Sequence, residues 1–271
     1  MSHASPSWVD FHCHLDLYQD HLGVIRECDA RRIATLAVTT TPKAFARNVD
    51  FALGSPYVTV GLGLHPQLVA ERSDELPLFE RLLERTDYVG EVGLDASPRF
   101  YASFQQQRRL FDRILRACSE QGGKILSIHS VRSVAWVLGS LEENLKNPTC
   151  IPVLHWFTGT KSEAHRAIEQ GCYFSVNAEM MRNAKTHALI RFIPEDRLLT
   201  ESDGPFVQFG ERPARPSDMP ETVGLLAAIR NVESAHLAEQ VLKTLRVIQS
   251  IEPAMREGKQ RSLFKKASDG L

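Results

Sequence analysis

Eight short apolar runs, each followed by a stretch with helical spacing, recur along the chain, and this alternation most limits what it can fold into. The runs lie at 8–14, 33–40 ("IATLAVTT"), 57–64 ("YVTVGLGL"), 87–94 ("DYVGEVGL"), 124–129 ("KILSIH"), 151–157 ("IPVLHWF"), 172–177 ("CYFSVN") and 197–202 ("RLLTES"). Most are β-branched and almost continuously apolar, as strands are when both faces of a parallel sheet are covered. Helices are predicted between them, most clearly over 75–85, 102–121, 131–145 and 161–170. Strands alternating with helices in this number predict an α/β chain closed into a single-domain (β/α)8 TIM barrel. An open doubly wound sheet would need a glycine-rich phosphate loop after its first strand. The first run instead reads "VDFHCHLD". The expected organisation is an N-terminal extension (1–7), the barrel (8–250) and a polar basic tail (251–271, with "REGKQRSLFKKASDG"). Two helices ending near residue 250 follow a proline-rich loop.

In a strand, successive side chains face opposite ways. Asp10, His12 and His14 are thereby expected on one face, and Val9, Phe11, Cys13 and Leu15 on the other. Five of the ten histidines lie at or just past predicted strand ends: His12, His14, His65, His129 and His155. Glu91 and Asp203 occupy two further strand ends. In a barrel these ends converge on the C-terminal mouth, where active sites of this fold are built. Imidazole and carboxylate donors suit Zn, Mn or Mg. Each residue alone has a bland reading, as a hydrogen-bonded core histidine or a capping acid. Their coincidence at six strand ends points to a metal site.

The formal net charge of −1 supplies no global attraction for nucleic acid, so a phosphate partner must be held locally. Five scattered cysteines (13, 28, 118, 150, 172) without a C-x-x-C pair fit reduced thiols and a cytoplasmic location. The start lacks signal-peptide character, and no apolar run is long enough to span a membrane. The basic tail reads either as a nucleic-acid contact or as a solvated terminus.

The ordered motifs "DFHCHLD", "GLGLHP", "VGEVGLD", "HSVR", "HWFTG" and "LLTESDGP" resemble those of the TatD-type metal-dependent deoxyribonucleases, within the amidohydrolase superfamily. Segments such as "TLAVTTTP", "GLHPQLVAER" and "GGKILSIHSVRS" more narrowly resemble the TatD-like component of the Qat anti-phage defence system (the QatD group). The family resemblance implies two divalent metal ions (Mg, Mn or Zn). His12, His14 and Asp203 would hold one, His129 and His155 the other, and Glu91 would bridge them. Asp203 would also orient or deprotonate the attacking water. His65 would contact the scissile phosphate, and Arg132 could neutralise a phosphate oxygen. Trp156 and Phe157 are candidates for stacking a terminal base, and Phe157 equally for filling the barrel. Asp10 and Glu201 would orient ligands. Small-molecule amidohydrolases commonly use a carbamylated lysine where this chain has Glu91, and Lys124 lies too far down the barrel to serve.

The implied function is a deoxyribonuclease acting on a DNA strand end. The Qat likeness implies protein partners, an ATPase and two further components. The alternatives are a metal-dependent hydrolase of a nucleotide-like small molecule or modified nucleoside, and a mainly binding subunit of a defence complex. Departures from the family pattern at Gln67, at "WFT" after His155, in the extra residue of "HSVR" and in "RPARPSD" bear on substrate choice.

Overall fold

Strand β1 (Trp8–Cys13) pairs in parallel with β2 (Ile33–Val38), and β2 with β3 (Val58–Gly61). A second parallel run links β4 (Tyr88–Asp95), β5 (Ile125–Val131), β6 (Ile151–His155), β7 (Tyr173–Val176) and β8 (Leu198–Thr200) in chain order. A parallel bridge between Leu62 and Val89 joins the two runs. The ring closes where β8 meets β1: Thr200 Oγ1 donates to Val9 O, Asp203 N to His12 O at 2.9 Å, and His14 N to Gly204 O at 2.9 Å. This computed structural model, which describes residues 4–251, is thus the expected (β/α)8 barrel. Residues 1–3 of the predicted extension and 252–271 of the predicted basic tail lie outside the described residues.

The helices follow from local chemistry. Phe104–Gln121 buries Phe104, Leu110, Phe111, Ile114, Leu115 and Cys118 along one stripe, the spacing of a helix laid on a sheet. Lys161–Glu169 starts with a capping box, in which Thr160 accepts from Glu163 N while Glu163 accepts from Thr160 N. The helix predicted from 131 begins only at Val134, because β5 runs on to Val131 and Arg132 turns the chain at φ 52°. The proline-rich loop carries a small antiparallel hairpin, Gln208–Phe209 with Arg212–Pro213, that the sequence pattern did not announce.

One expectation is corrected. The register of β1 shifts between Asp10 and Cys13, and a bulge of this kind breaks the period of two. Val9 and Phe11 join Leu36, Val38, Ile125, Val153, Tyr173 and Leu199 in a cluster inside the barrel, whereas Cys13 and Leu15 pack in the layer between strands and helices. Val241, Leu245 and Ile248 of the last helix, Ser234–Ser250, close this interior cluster. Gln249 Nε2 donates to the hydroxyl of Tyr88 at the start of β4, at 3.0 Å, so the helix lies at the N-terminal end of the barrel. All five cysteines are buried and unpaired. Among the described residues no helix is long and apolar enough to cross a membrane.

Candidate metal centre

The backbone around β4 places Glu91. Its N–H donates to Thr39 O and its carbonyl accepts from Leu64 N, each at 3.0 Å. Gly63 makes this approach possible, since a Cβ there would lie 1.7 Å from Thr39 O and 2.5 Å from Glu91 N. The Glu91 carboxylate is buried, and its two oxygens face different partners. Oε2 lies 3.4 Å from His12 Nε2 and 3.3 Å from His14 Nε2. Oε1 lies 2.7 Å from His129 Nδ1, 3.0 Å from His155 Nε2 and 3.1 Å from His65 Nε2. Asp203 completes the first group, with Oδ1 3.6 Å from both His12 Nε2 and His14 Nε2. It follows β8 in the left-handed region at φ 44°, a conformation that costs energy in a residue with a Cβ and tends to occur at functional sites.

The donor chemistry fits a cation. His12 Nε2 and His14 Nε2 face each other at 3.3 Å beside two carboxylate oxygens. Two ring nitrogens and two carboxylate oxygens this close together form a donor set that suits a divalent cation. Bonds of about 2.1 Å to one cation put tetrahedral donors about 3.4 Å apart, and His12, His14 and Glu91 lie 3.3–3.4 Å from one another, with Asp203 3.6 Å from both rings. His12, His14 and Glu91 form one such group, His65, Glu91 and His129 another, and His12, His155 and Glu201 a third.

Electrostatics within this cluster are strongly perturbed. Burial pushes the Glu91 carboxyl up, but the surrounding imidazoles, led by His65 and His155, overcome it and hold the group well below its usual range. Burial raises Asp203 to about 7, against the pull of His155 and His14. Burial also drives His12 well below the ordinary imidazole value. Burial acts the same way on His155, but Glu91 and Glu201 overcome it and raise that ring.

The supporting contacts are specific. His12 Nδ1 lies 2.7 Å from Ser127 Oγ. Asp10 Oδ1 accepts from Ser202 N at 2.8 Å and from His12 N at 3.3 Å, tying β1 to the β8 exit. Glu201 Oε1 accepts from Trp156 N at 3.1 Å and Asn177 Nδ2 at 2.9 Å and lies 3.6 Å from His155 Nδ1. Asp10 thus ties the first strand to the last, while Glu201 both holds the β6 exit and lies within reach of His155. Lys124 is wholly buried, its Nζ donating to Leu83 O and Thr86 O at 2.7 Å.

The sequence pattern missed Asp95. Its Oδ2 is 3.1 Å from His129 Nε2 and accepts from Gln67 Nε2 at 2.8 Å. Burial opposes it, yet hydrogen bonds from His129, Ser97 and Gln67 lower its pKa. Its place at the end of β4, four residues past Glu91, was the available signal. Phe206, 60% exposed, was also missed; its ring stands edge-on to His14 with centroids 5.0 Å apart.

Over the donors opens a cavity of about 520 Å³. His65, Arg132, Trp156, Asp203 and Phe206 line it. Phe157 does not. It is fully buried and packs edge-on against Phe174, with centroids 5.2 Å apart. Of the two readings open for Phe157, stacking and filling the interior, its burial fits packing in the core. Trp156, at φ 40°, reverses the chain after β6 and leaves its neighbour pointing into the core.

Comparison with known proteins agrees with this geometry. The family model described as "TatD related DNase" matches residues 9–248. The chain is 29% identical over 250 residues to an uncharacterized metal-dependent hydrolase of Buchnera aphidicola, covering 87% of this chain and 93% of that protein. It is 31% identical over 183 residues to the 3'-5' ssDNA/RNA exonuclease TatD of Citrobacter koseri, covering 65% of each chain. The crystal structure of YJJV, a TatD homologue from Escherichia coli K12, superposes with a TM-score of 0.79 at 25% identity, over 89% of this chain and 97% of that one. With its barrel and its buried His/Glu/Asp clusters, the chain belongs to the TatD-related DNase family of metal-dependent hydrolases.

Proposed function

We propose that this chain is a two-metal deoxyribonuclease that hydrolyses phosphodiester bonds at the end of a single DNA strand. The observation that carries the reading is the division of the Glu91 carboxylate, one oxygen toward His12 and His14 and the other toward His129 and His155. His12, His14, Asp203 and Glu91 Oε2 would hold one divalent cation, and His129, His155 and Glu91 Oε1 the second. Bound there, the cations supply Lewis acidity toward water and the phosphate oxygens. Asp203 would also orient or deprotonate the attacking water. His65 Nδ1 accepts from Gln67 N at 3.1 Å, so its Nε2 carries the proton and donates, to Glu91 or to a phosphate oxygen. Arg132, exposed at the cavity wall, neutralises a phosphate oxygen. Trp156 and Phe206 offer rings to the terminal base.

Elemental analysis of the purified full chain, joined to cleavage of labelled single-stranded DNA with Mg or Mn on the same preparation, tests this. Two equivalents of metal and cleavage abolished in His12→Ala, Glu91→Gln and Asp203→Asn variants are expected. Cleavage that survives all three substitutions overturns the proposal.

The cavity volume of about 520 Å³ also lies in the range of small-molecule sites, about 300–1,000 Å³, which favours a nucleotide-like small molecule as the second reading. Turnover of small phosphoesters or modified nucleosides with DNA left intact would select it. The likeness of residues 35–42, 63–72 and 122–133 to the Qat component supports a role in anti-phage defence. The expected partners are an ATPase and two further proteins. Loss of phage protection in a His12→Ala strain is expected; full protection would favour a binding subunit.

A further inference from the structure

Beside the metal cavity lies a second depression of about 360 Å³, and Arg132 and Thr158 line both. Trp136 forms part of its wall and is 50% exposed, although it is a large apolar ring on the first turn of a helix. The ring is held from behind. Arg108 sits 3.9 Å from its centroid and Phe104 meets it edge-on at 6.3 Å. A half-exposed indole fixed by a cation on one face is a rigid stacking surface. Arg132 turns through the left-handed region at φ 52°, and no residue among those described is ion-paired to it. The one carboxylate in the wall, Glu163, is engaged by the Thr160 N–H at 2.7 Å and the Thr160 hydroxyl at 2.9 Å.

We propose that this depression is a second nucleotide subsite, in which Trp136 stacks the base next to the terminal nucleotide of a single DNA strand and Arg132 pairs with the phosphate between the two. The proposal rests on the nuclease reading for the orientation of the strand. Its support is separate: a continuous surface leading out of the metal cavity, a free cation at the junction and an aromatic platform one step beyond. Stacking platforms alternating with cations are how single strands are held without sequence preference. The subsite makes the protein prefer strands over dinucleotides.

The test uses the full chain and oligothymidylates of two and eight nucleotides. Binding is measured by fluorescence anisotropy on the metal-loaded protein with phosphorothioate-linked oligomers, and cleavage with Mn on the ordinary ones. Wild type is expected to bind the octamer more tightly than the dimer. Trp136→Ala should weaken octamer binding about tenfold, inside the roughly 5- to 150-fold range of one lost stack, and Trp136→Phe should restore most of it. Arg132→Ala, at an exposed position free of packing demands, should lower the salt slope of octamer binding by about 0.7. A Trp136→Ala protein with the wild-type ratio of octamer to dimer affinity overturns the subsite, as does a wild type that binds both lengths equally. Length-dependent binding through Trp136 without any cleavage would keep the subsite and overturn the nuclease reading alone. A wild type that neither binds nor cleaves DNA overturns both.

Discussion

At the N-terminal end of the barrel, Val9, Phe11, Ile125, Val153 and Leu199 meet Leu245 and Ile248 of the last helix. At the C-terminal end the same strands carry His12, His129, His155 and, just beyond β8, Asp203. The apolar end is sealed by a helix; the polar end opens into the cavity. The mouth also holds Arg132, Trp156 and Asp203 at positive φ outside any helix C-cap, unlike Arg32 and Asn231, which end helices. One end is arranged to hold the barrel together and the other to gather charge at some cost in stability, the division seen across this fold.

That contrast can be broken most sharply at Glu91. Glu91→Gln should reduce DNA cleavage by roughly 10³-fold or more, because in the proposed two-metal centre both cations would share this carboxylate. Added Mn should raise the melting temperature of wild type by mass action and leave that of the variant nearly unmoved. At the opposite end, Leu245→Ala, at a buried position, should cost about 2–5 kcal/mol in urea unfolding, while cleavage per folded molecule stays within about twofold. If both substitutions damaged stability and cleavage alike, the division between the ends would fail.

A finer test lies within the mouth. Asp95→Asn weakens the support of His129 and should lower metal affinity about 10- to 100-fold, read by competition with a fluorescent chelator. The smallest effect is expected at Glu195, on the surface just before β8. The hydrogen bond from His236, with Arg230 nearby, holds this carboxyl below its ordinary value. A depressed carboxyl stabilises the fold above its unfolded pKa of about 4.3 and ceases to do so as pH falls through the folded value. The advantage of wild type over Glu195→Gln should therefore be present at pH 7, under about 1 kcal/mol for so exposed a pair, and vanish in acid.

Much of the barrel was legible because strand and helix periods differ and because β-branched apolar runs mark covered strands. The clustering of His12, His14, Glu91, His129, His155 and Asp203 was legible from chemistry: six groups that are costly to bury stand at the ends of strands that must be buried. The shift in β1 was not legible. A bulge is one residue's departure from a period of two, and nothing in "VDFHC" marks where it falls. The fates of Trp156 and Phe157 turned on a single left-handed residue, so two adjacent aromatics with the same local pattern ended in cavity and core. Trp136 drew no attention because a tryptophan early in an apolar helix reads as core; only its neighbours show that half the ring is left outside.

The seam between the last strand and the first has a consequence for how the molecule comes into being. His12 and His14 emerge early in synthesis, but Asp203 arrives only after all eight barrel strands, and its N–H is what zips onto His12. A chain still growing on the ribosome lacks the final side of its cage. A centre that draws on both His12 and Asp203 is therefore assembled only when the circle shuts.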